Sequence, residues 1–252
     1  EKFSGTAEAE KKDIEEYPYI PLAIVYEDEN VLFLNKPAGM LSQKSVPSDV
    51  SLNEYLLGYL EKSGQWKQEE SKAFRPSVCN RLDRNTSGLI LAGKTVAATQ
   101  QLSELIAERA VGKYYLTVVK GTVTETERIR GYLTKNERTN RVSIQREQQG
   151  DAVYIETAYR PLCAGRGCTL LEVELVTGKS HQIRSHLASI GHPLLGDQVY
   201  GPAKVPFSGL QGQTLHAGVL GIIHPSTGEY MEFHAPLPEY FSNLLLQFRK
   251  NV

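Results

Sequence analysis

The stretch NRLDRNTSGLILAGKT, Asn80 to Thr95, holds two overlapping patterns that imply unrelated chemistries. From Gly88 the letters GLILAGKT fit G-x-x-x-x-G-K-[ST], a loop whose backbone N–H groups cradle a nucleotide phosphate. From Arg81 the letters RLDRNTSG set one carboxylate, Asp83, between the guanidinium groups of Arg81 and Arg84, just ahead of a turn. Neighbouring positive charge favours a carboxylate over its acid, and a carboxylate serves as nucleophile or base. The same residues also fit a plain structural ion pair in a loop, and their letters alone leave both readings open.

Context separates the two patterns. A phosphate loop follows a strand and opens a helix. Here the apolar run Leu89, Ile90, Leu91, Ala92 lies inside the pattern, and RNTS precedes Gly88. The segment reads as a buried strand between two turn glycines, with Thr95 capping a helix; a nucleotide hydrolase stands as the alternative. Cys163, Cys168, His181 and His186 have the spacing of a zinc finger that binds nucleic acid. A finger needs its helix to begin well before the first histidine, yet TLLEVELVTGKS reads as strand and turn up to Ser180. Two incidental thiols and two helix histidines are expected there, with no metal.

The elements that must position Asp83 follow from periodicity. AIVYEDENVLFLNKP reads as two strands around a Glu27 to Asn30 turn, closed by Lys36-Pro37-Ala38-Gly39. Ser51 and Glu54 form a capping box before LNEYLLGYLEKSG, with Gly64 suited to the stop. A second helix, VAATQQLSELIAER, runs from Thr95, and KYYLTVVKG, RIRGYLTKNERTNRVSIQR, AVYIETAYRPL and TLLEVELVTG read as strands. SHQIRSHLASIG is a third helix, TLHAGVLGIIHPSTGEYMEFHAP a hairpin turned at Pro225 to Gly228, and PEYFSNLLLQFRK a closing helix with Pro238 at its start. Strand runs joined by hairpins, with helices that do not strictly alternate, predict an α+β domain on a mostly antiparallel sheet.

Composition bounds the classes. The chain has 252 residues, 40% of them hydrophobic, enough for one large core or two small ones. No apolar run reaches the roughly 18 residues of a membrane span, and the charged lead EKFSGTAEAEKKDIEEY is unlike a signal peptide. Three cysteines point to reduced thiols in a cytosolic setting. A net charge of −1 argues against a uniformly basic nucleic-acid binder but is blind to a local patch. The first residue is Glu1 rather than Met, which fits a trimmed piece.

Two further residues could join Asp83. In KYYLTVVKG, alternation puts Tyr114, Leu116 and Val118 on a core face and Lys113, Tyr115, Thr117 and Val119 on the other, leaving Tyr115 free to line a cleft. In the third helix Ile183, Leu187 and Ile190 share the buried stripe, and Arg184 sits about 100° around from Ile183, at its edge. An exposed aromatic and an exposed arginine are the plain alternatives.

Taken in order, YEDENVLFLNKPAGML, NRLDRNTSGL, GKYYLTVVKG, LVTGKSHQIRSHLASIGHPLLGDQVYG and LHAGVLGIIHPSTG with FHAPLP resemble the RluA-type pseudouridine synthase family, from about Ile24 to the end. The resemblance implies a mixed, mostly antiparallel sheet with flanking helices and a central cleft. It implies that Asp83 is the catalytic aspartate, that Tyr115 packs on the target base and that Arg184 pairs with the aspartate, with no cofactor and no metal. Arg81 would enter the RNA where the uridine leaves. The usual family letters are His-Arg-Leu-Asp, and Asn80 stands here in place of the histidine. Asparagine cannot titrate near neutrality, so that position is left with hydrogen bonding or loop shape.

The resemblance further implies structured RNA, above all 23S ribosomal RNA, as substrate for a cytoplasmic enzyme working as a monomer. Residues 1–20 would be a lead from a small RNA-binding module, and 21–252 the catalytic domain. Besides Arg81, Arg84 and Asn80, the candidate RNA contacts are Arg130, Lys135, Arg138 and Arg141 of a basic hairpin that also holds Arg128, Arg146 and Tyr132, and Lys179 beside the third helix. A merely solvated hairpin is the competing view. A catalytically silent RNA-binding relative is the second alternative.

Overall fold

Apolar runs of strand length can stay continuous only where a sheet is covered on both faces. In the computed structural model, which describes residues 15–69, 74–136, 138–139, 141–210 and 212–249, the described strands join one eleven-stranded sheet. β1 (Ile24–Glu27) and β2 (Val31–Lys36) form a hairpin, followed by helix α1 (Leu52–Lys62) and the short β3 (Ser77–Val78). Then come β4 (Ser87–Gly93), α2 (Val96–Ala107), β5 (Gly112–Lys120), β6 (Glu127–Asn136), β7 (Arg141–Gln145), β8 (Val153–Gly165) and β9 (Cys168–Leu175). Helix α3 (Gln182–Ser189), the hairpin β10 (Leu215–Ile223) and β11 (Tyr230–His234), and helix α4 (Glu239–Arg249) complete the order.

The strands lie in the order β1-β2-β4-β10-β5-β9-β8-β6-β7, with β3 on β4 and β11 on β10. β4 and β10 run parallel and the other pairs antiparallel, which makes this the expected α+β architecture on a mostly antiparallel mixed sheet. The parallel contact requires Gly88: at φ 115° it sits so close to β10 that a Cβ would lie 2.2 Å from the Ala217 carbonyl oxygen. Local chemistry starts the helices as expected. Ser51 and Glu54 close a capping box on α1, and Thr95 Oγ1 accepts from the Ala98 N–H at 3.2 Å on α2.

The phosphate-loop reading fails on this geometry. β4 occupies the interior of the pattern with all seven residues buried, Lys94 Nζ is drawn to Glu27 Oε1 at 3.0 Å, and Thr95 serves α2. Of the zinc pattern, Cys163 is exposed and Cys168 buried at the β8–β9 turn, while His186 is packed against Thr157. Among the described residues no three His, Cys, Asp or Glu side chains gather as metal ligands, and no helix is long and apolar enough to cross a membrane.

Three local expectations need correction. β5 is core on both faces: Tyr115 and Val119 pack in a cluster with Leu57 of α1 and Leu187 of α3, while Val118 packs with Phe241 and Leu244 of α4. Alternation marks faces but cannot say that helices cover both. On α3, Ile190 is 38% exposed beyond the last turn, whereas Gln182, Arg184, Ser185 and His186 are buried with Ile183 and Leu187. A short helix enclosed on nearly every side has no polar face to show. Of the charged lead, residues 1–14 lie outside the described residues, and Tyr17 packs on Trp66 with ring centroids 5.9 Å apart, joining the α1 core rather than a linker.

His186 makes this core sensitive to acid. It is 2% exposed, its Nδ1 lies 3.0 Å from Thr157 Oγ1, and burial pushes its pKa from 6.5 down to about 4. Below pH 6.5 the unfolded chain takes up a proton that the folded one refuses, so the stability present above pH 6.5 is lost as pH falls toward 4. We expect His186 alone to remove about 2 kcal/mol of unfolding free energy between neutrality and pH 5. Urea midpoints should fall over that range while the His186 ring keeps neutral NMR shifts; an imidazolium signal at pH 5.5 would contradict this.

Candidate active site

Asp83 lies on the loop between β3 and β4, clamped from several sides. Asn80 fixes its start: Oδ1 accepts from the Leu91 N–H at 2.7 Å and Nδ2 donates to the Leu89 carbonyl at 3.3 Å. The Ser42 hydroxyl accepts from the Leu82 N–H at 3.0 Å and donates to its carbonyl at 2.9 Å. After the carboxylate, the Thr86 N–H closes a turn on the Asp83 carbonyl at 3.0 Å, and Gln213 Nε2 donates to Thr86 Oγ1 at 2.7 Å.

Lys36 holds the same loop from below. It is fully buried, and its ammonium donates to the carbonyls of Pro37, Met40 and Arg84 at 2.9, 2.8 and 3.1 Å. Burial pushes its pKa down to about 7, opposed by the charge of Asp83. Three carbonyls match the three N–H donors of the charged form, so the loop presents a cage for an ammonium. From its sequence Lys36 reads only as the close of a strand; its place in NKP, directly after an apolar strand, is the available signal.

Arg184 supplies the partner of the carboxylate. Its Nη1 donates to Asp83 Oδ2 at 2.8 Å, while Nε and Nη2 donate to Asp197 Oδ2 and Oδ1 at 2.7 and 2.9 Å. The guanidinium thus bridges two acids, and its carbon lies 5.4 Å from the centre of the Tyr200 ring. Burial alone would lower the Arg184 pKa, but its two acids carry it above the usual arginine range. Burial likewise would raise Asp197, and the Arg184 hydrogen bonds with the Val199 and Tyr200 N–H groups outweigh it. The side chains of Asp197 and Arg184 are 0% and 7% exposed, that of Asp83 25%. The acid that can meet a substrate is therefore Asp83. Its Oδ2 is engaged by Arg184, and among the described residues no hydrogen bond reaches Oδ1; an unengaged carboxylate oxygen is of the type that can serve as base or nucleophile.

The counter-charge expected from Arg81 and Arg84 comes instead from Arg184. Both loop arginines are exposed and neither forms an ion pair with Asp83. Tyr115 is 6% exposed rather than lining an open wall; burial, and then the Asp83 charge, push its phenol well up, so it stays protonated. Asn80 is turned to the β4 backbone. Lys179 is exposed just before α3, and its N–H is held by Gln182 Oε1 at 3.1 Å. On the basic hairpin, Arg128 binds Glu156 at 2.6 Å and Arg130 lies 3.5 Å from the same acid. Arg138 in the β6–β7 turn and Arg141 at the start of β7 are exposed, with Lys135 at the end of β6. Asp197, in GDQVYG, was not singled out from sequence, because an acid between a glycine and a polar residue reads as a turn.

A family profile described as RNA pseudouridylate synthase matches residues 30–189. The chain is 37% identical over 91% of its length to an uncharacterized RNA pseudouridine synthase, YlyB, of Bacillus subtilis, covering 74% of that protein. It is 35% identical over 87% of its length to the ribosomal large subunit pseudouridine synthase D of Zymomonas mobilis, covering 70% of it. Among solved structures, human RNA pseudouridylate synthase domain containing 1 superposes with a TM-score of 0.67 at 25% identity, over 92% of this chain and 96% of that one. Human RNA pseudouridylate synthase domain containing 4 superposes with a TM-score of 0.73 at 23% identity, over 90% and 93%, a likeness of fold.

Replacing Asp197 by Asn removes a buried charge and leaves Arg184 short of its bidentate partner. Breaking a buried pair on one side costs about 3 kcal/mol or more. Asp197→Asn should therefore lower the urea midpoint markedly at neutral pH; an unchanged midpoint would show that the bridge adds no net stability.

Proposed function

Because the chain belongs to the RNA pseudouridylate synthase family, we propose that it isomerises uridine to pseudouridine in large-subunit ribosomal RNA, with Asp83 as its reacting group. The observation that carries the role of Asp83 is its 2.8 Å contact with Arg184 beside the Tyr115 phenol, with one carboxylate oxygen left unengaged. The reaction breaks the bond from ribose C1′ to uracil N1, turns the base, joins C5 to C1′, releases the C5 proton and takes up one proton at N1. No atom is gained or lost, and neither an electron carrier nor a metal is called for. Asp83 Oδ1 either attacks C1′ or removes the 2′ hydrogen, while Arg184 keeps Oδ2 fixed in a site where charge is poorly screened. Tyr115, held as a neutral phenol, supplies an aromatic edge for the uracil.

A paired or stacked uridine must leave its stack, at a cost of a few kcal/mol. Arg81, exposed two residues from Asp83, is the side chain to fill the gap it leaves. Arg84, Lys135, Arg138, Arg141 and Lys179 would hold the phosphate backbone around it. Arg130 would contribute less, since Glu156 shares its charge. The described site draws its groups from one chain, which is consistent with the proposed monomer acting on ribosomal RNA in the cytoplasm.

Asp83→Asn should abolish tritium release from RNA labelled at uridine C5 while RNA affinity stays within about twofold, since the change removes charge but little shape. An active variant would refute the assignment. Replacing Arg138 and Arg141 by Ala should weaken RNA binding and flatten the dependence of log affinity on log salt by about one to two units. An unchanged slope would exclude the hairpin tip from the RNA interface.

A further inference from the structure

One side chain beside Asp83 has no part in that scheme. His181 Nε2 lies 4.0 Å from Asp83 Oδ2, and its Nδ1 lies 3.2 Å from Tyr200 Oη. Its backbone is left-handed, φ 56° and ψ 11°, at the start of α3, yet its side chain makes no capping hydrogen bond. Helix starts favour Ser, Thr, Asp or Asn in extended backbone, so α3 itself does not call for a histidine there. Strained backbone of this kind gathers at functional sites.

The hydrogen bonds around His181 fix where its proton sits. The Val142 N–H of β7 donates to Tyr200 Oη at 2.9 Å, which leaves the phenol proton free to be given onward. His181 Nδ1 is the acceptor within reach, and a neutral imidazole that accepts at Nδ1 carries its proton on Nε2. The opposite tautomer would turn a lone pair toward the Asp83 carboxylate, a repulsive arrangement. Burial first, and the Arg184 charge after it, favour the neutral ring, against the pull of Asp83.

We propose that His181 is a positioning residue for the reacting carboxylate: a relay from the Val142 N–H through Tyr200 Oη to His181 Nδ1 locks an Nε2–H that faces Asp83 Oδ2. The proposal rests on the reading of Asp83 as the reacting group. At 4.0 Å the donor is too far for a direct hydrogen bond. It comes within range by a shift of about 1 Å as substrate closes the site. Oδ2 would then be held by two donors, Arg184 Nη1 and His181 Nε2, which leaves Oδ1 as the reacting oxygen. Because the relay starts in β7, a strand of the basic hairpin, docking of RNA on that hairpin and alignment of the carboxylate share one chain of hydrogen bonds.

Two substitutions separate this role from a structural one, because backbone and chemistry rank them oppositely. Asn tolerates left-handed backbone better than Gln, whereas Gln places an N–H near the position of Nε2 and Asn does not. With saturating RNA in single turnover, His181→Gln should stay within about threefold of the wild-type rate, and His181→Asn should fall by about tenfold to a hundredfold with RNA affinity within about twofold. Tyr200→Phe, which leaves the His181 backbone untouched, should fall comparably, and combining it with His181→Asn should add little further loss. In the wild-type protein, nitrogen NMR at pH 7.5 should find the His181 proton on Nε2. A wild-type rate for His181→Asn, Asn ahead of Gln, or a proton on Nδ1 would overturn the relay. An inactive Asp83→Asn beside a fully active His181→Asn would remove the relay alone, whereas an active Asp83→Asn would remove the reading of the site with it.

Discussion

The site rests on one guanidinium that faces two carboxylates. Arg184 gives two parallel hydrogen bonds to Asp197, which is fully enclosed, and a third to Asp83, which is partly open. A lysine could not do this: its point charge on a flexible stem has no fork to fix two partners in one plane. Burial divides the labour, with Asp197 aiming Arg184 and Arg184 aiming the carboxylate that meets solvent. One cation between two acids leaves a negative excess, and Lys36, caged by three carbonyls beneath the loop, supplies the second positive charge near Asp83. Each group is tolerable in the interior only because the others are there.

Much of the scaffold could be read from local sequence, because its elements are started and stopped by local chemistry. The Ser51–Glu54 box and the Thr95 cap announce α1 and α2, and the continuous run Leu89 to Ala92 marks β4 as a strand buried on both sides. That last point also tells against the phosphate-loop reading, which the buried strand in the structure then excludes, since its backbone N–H groups are not free to wrap a phosphate. Failures came where burial depended on distant parts of the chain. The polar residues of α3 look solvent-facing in a helical projection, and Tyr115 looks free on its strand, until α1, α3 and α4 are laid on the two faces of the sheet.

The candidate site shows the same division. Asp83 stood out between two arginines, but those arginines turn outward, and its actual partner comes from 101 residues away. Nothing in RLDRNTSG encodes that distance. Asp197 and Tyr200 lie in the glycine-flanked GDQVYG, whose letters give no sign of a site, and the Glu156 that draws in Arg128 and Arg130 sits on a different strand from both. Charge counted along a segment overstates what reaches the surface, because a facing strand neutralises part of it.

The parallel contact between β4 and β10 places Ser87 and Gly88 against His216 and Ala217 immediately after the loop that carries Asp83. The strand that seats the loop is thus completed by a segment made near the end of the chain, and the close approach leaves no room for a side chain at Gly88. A chain cut after its first two thirds therefore holds Asp83 and Tyr115 but lacks both Arg184 and the strand that completes the seat of the loop. The paired carboxylate and its seat are thus complete only once the C-terminal third has joined the sheet.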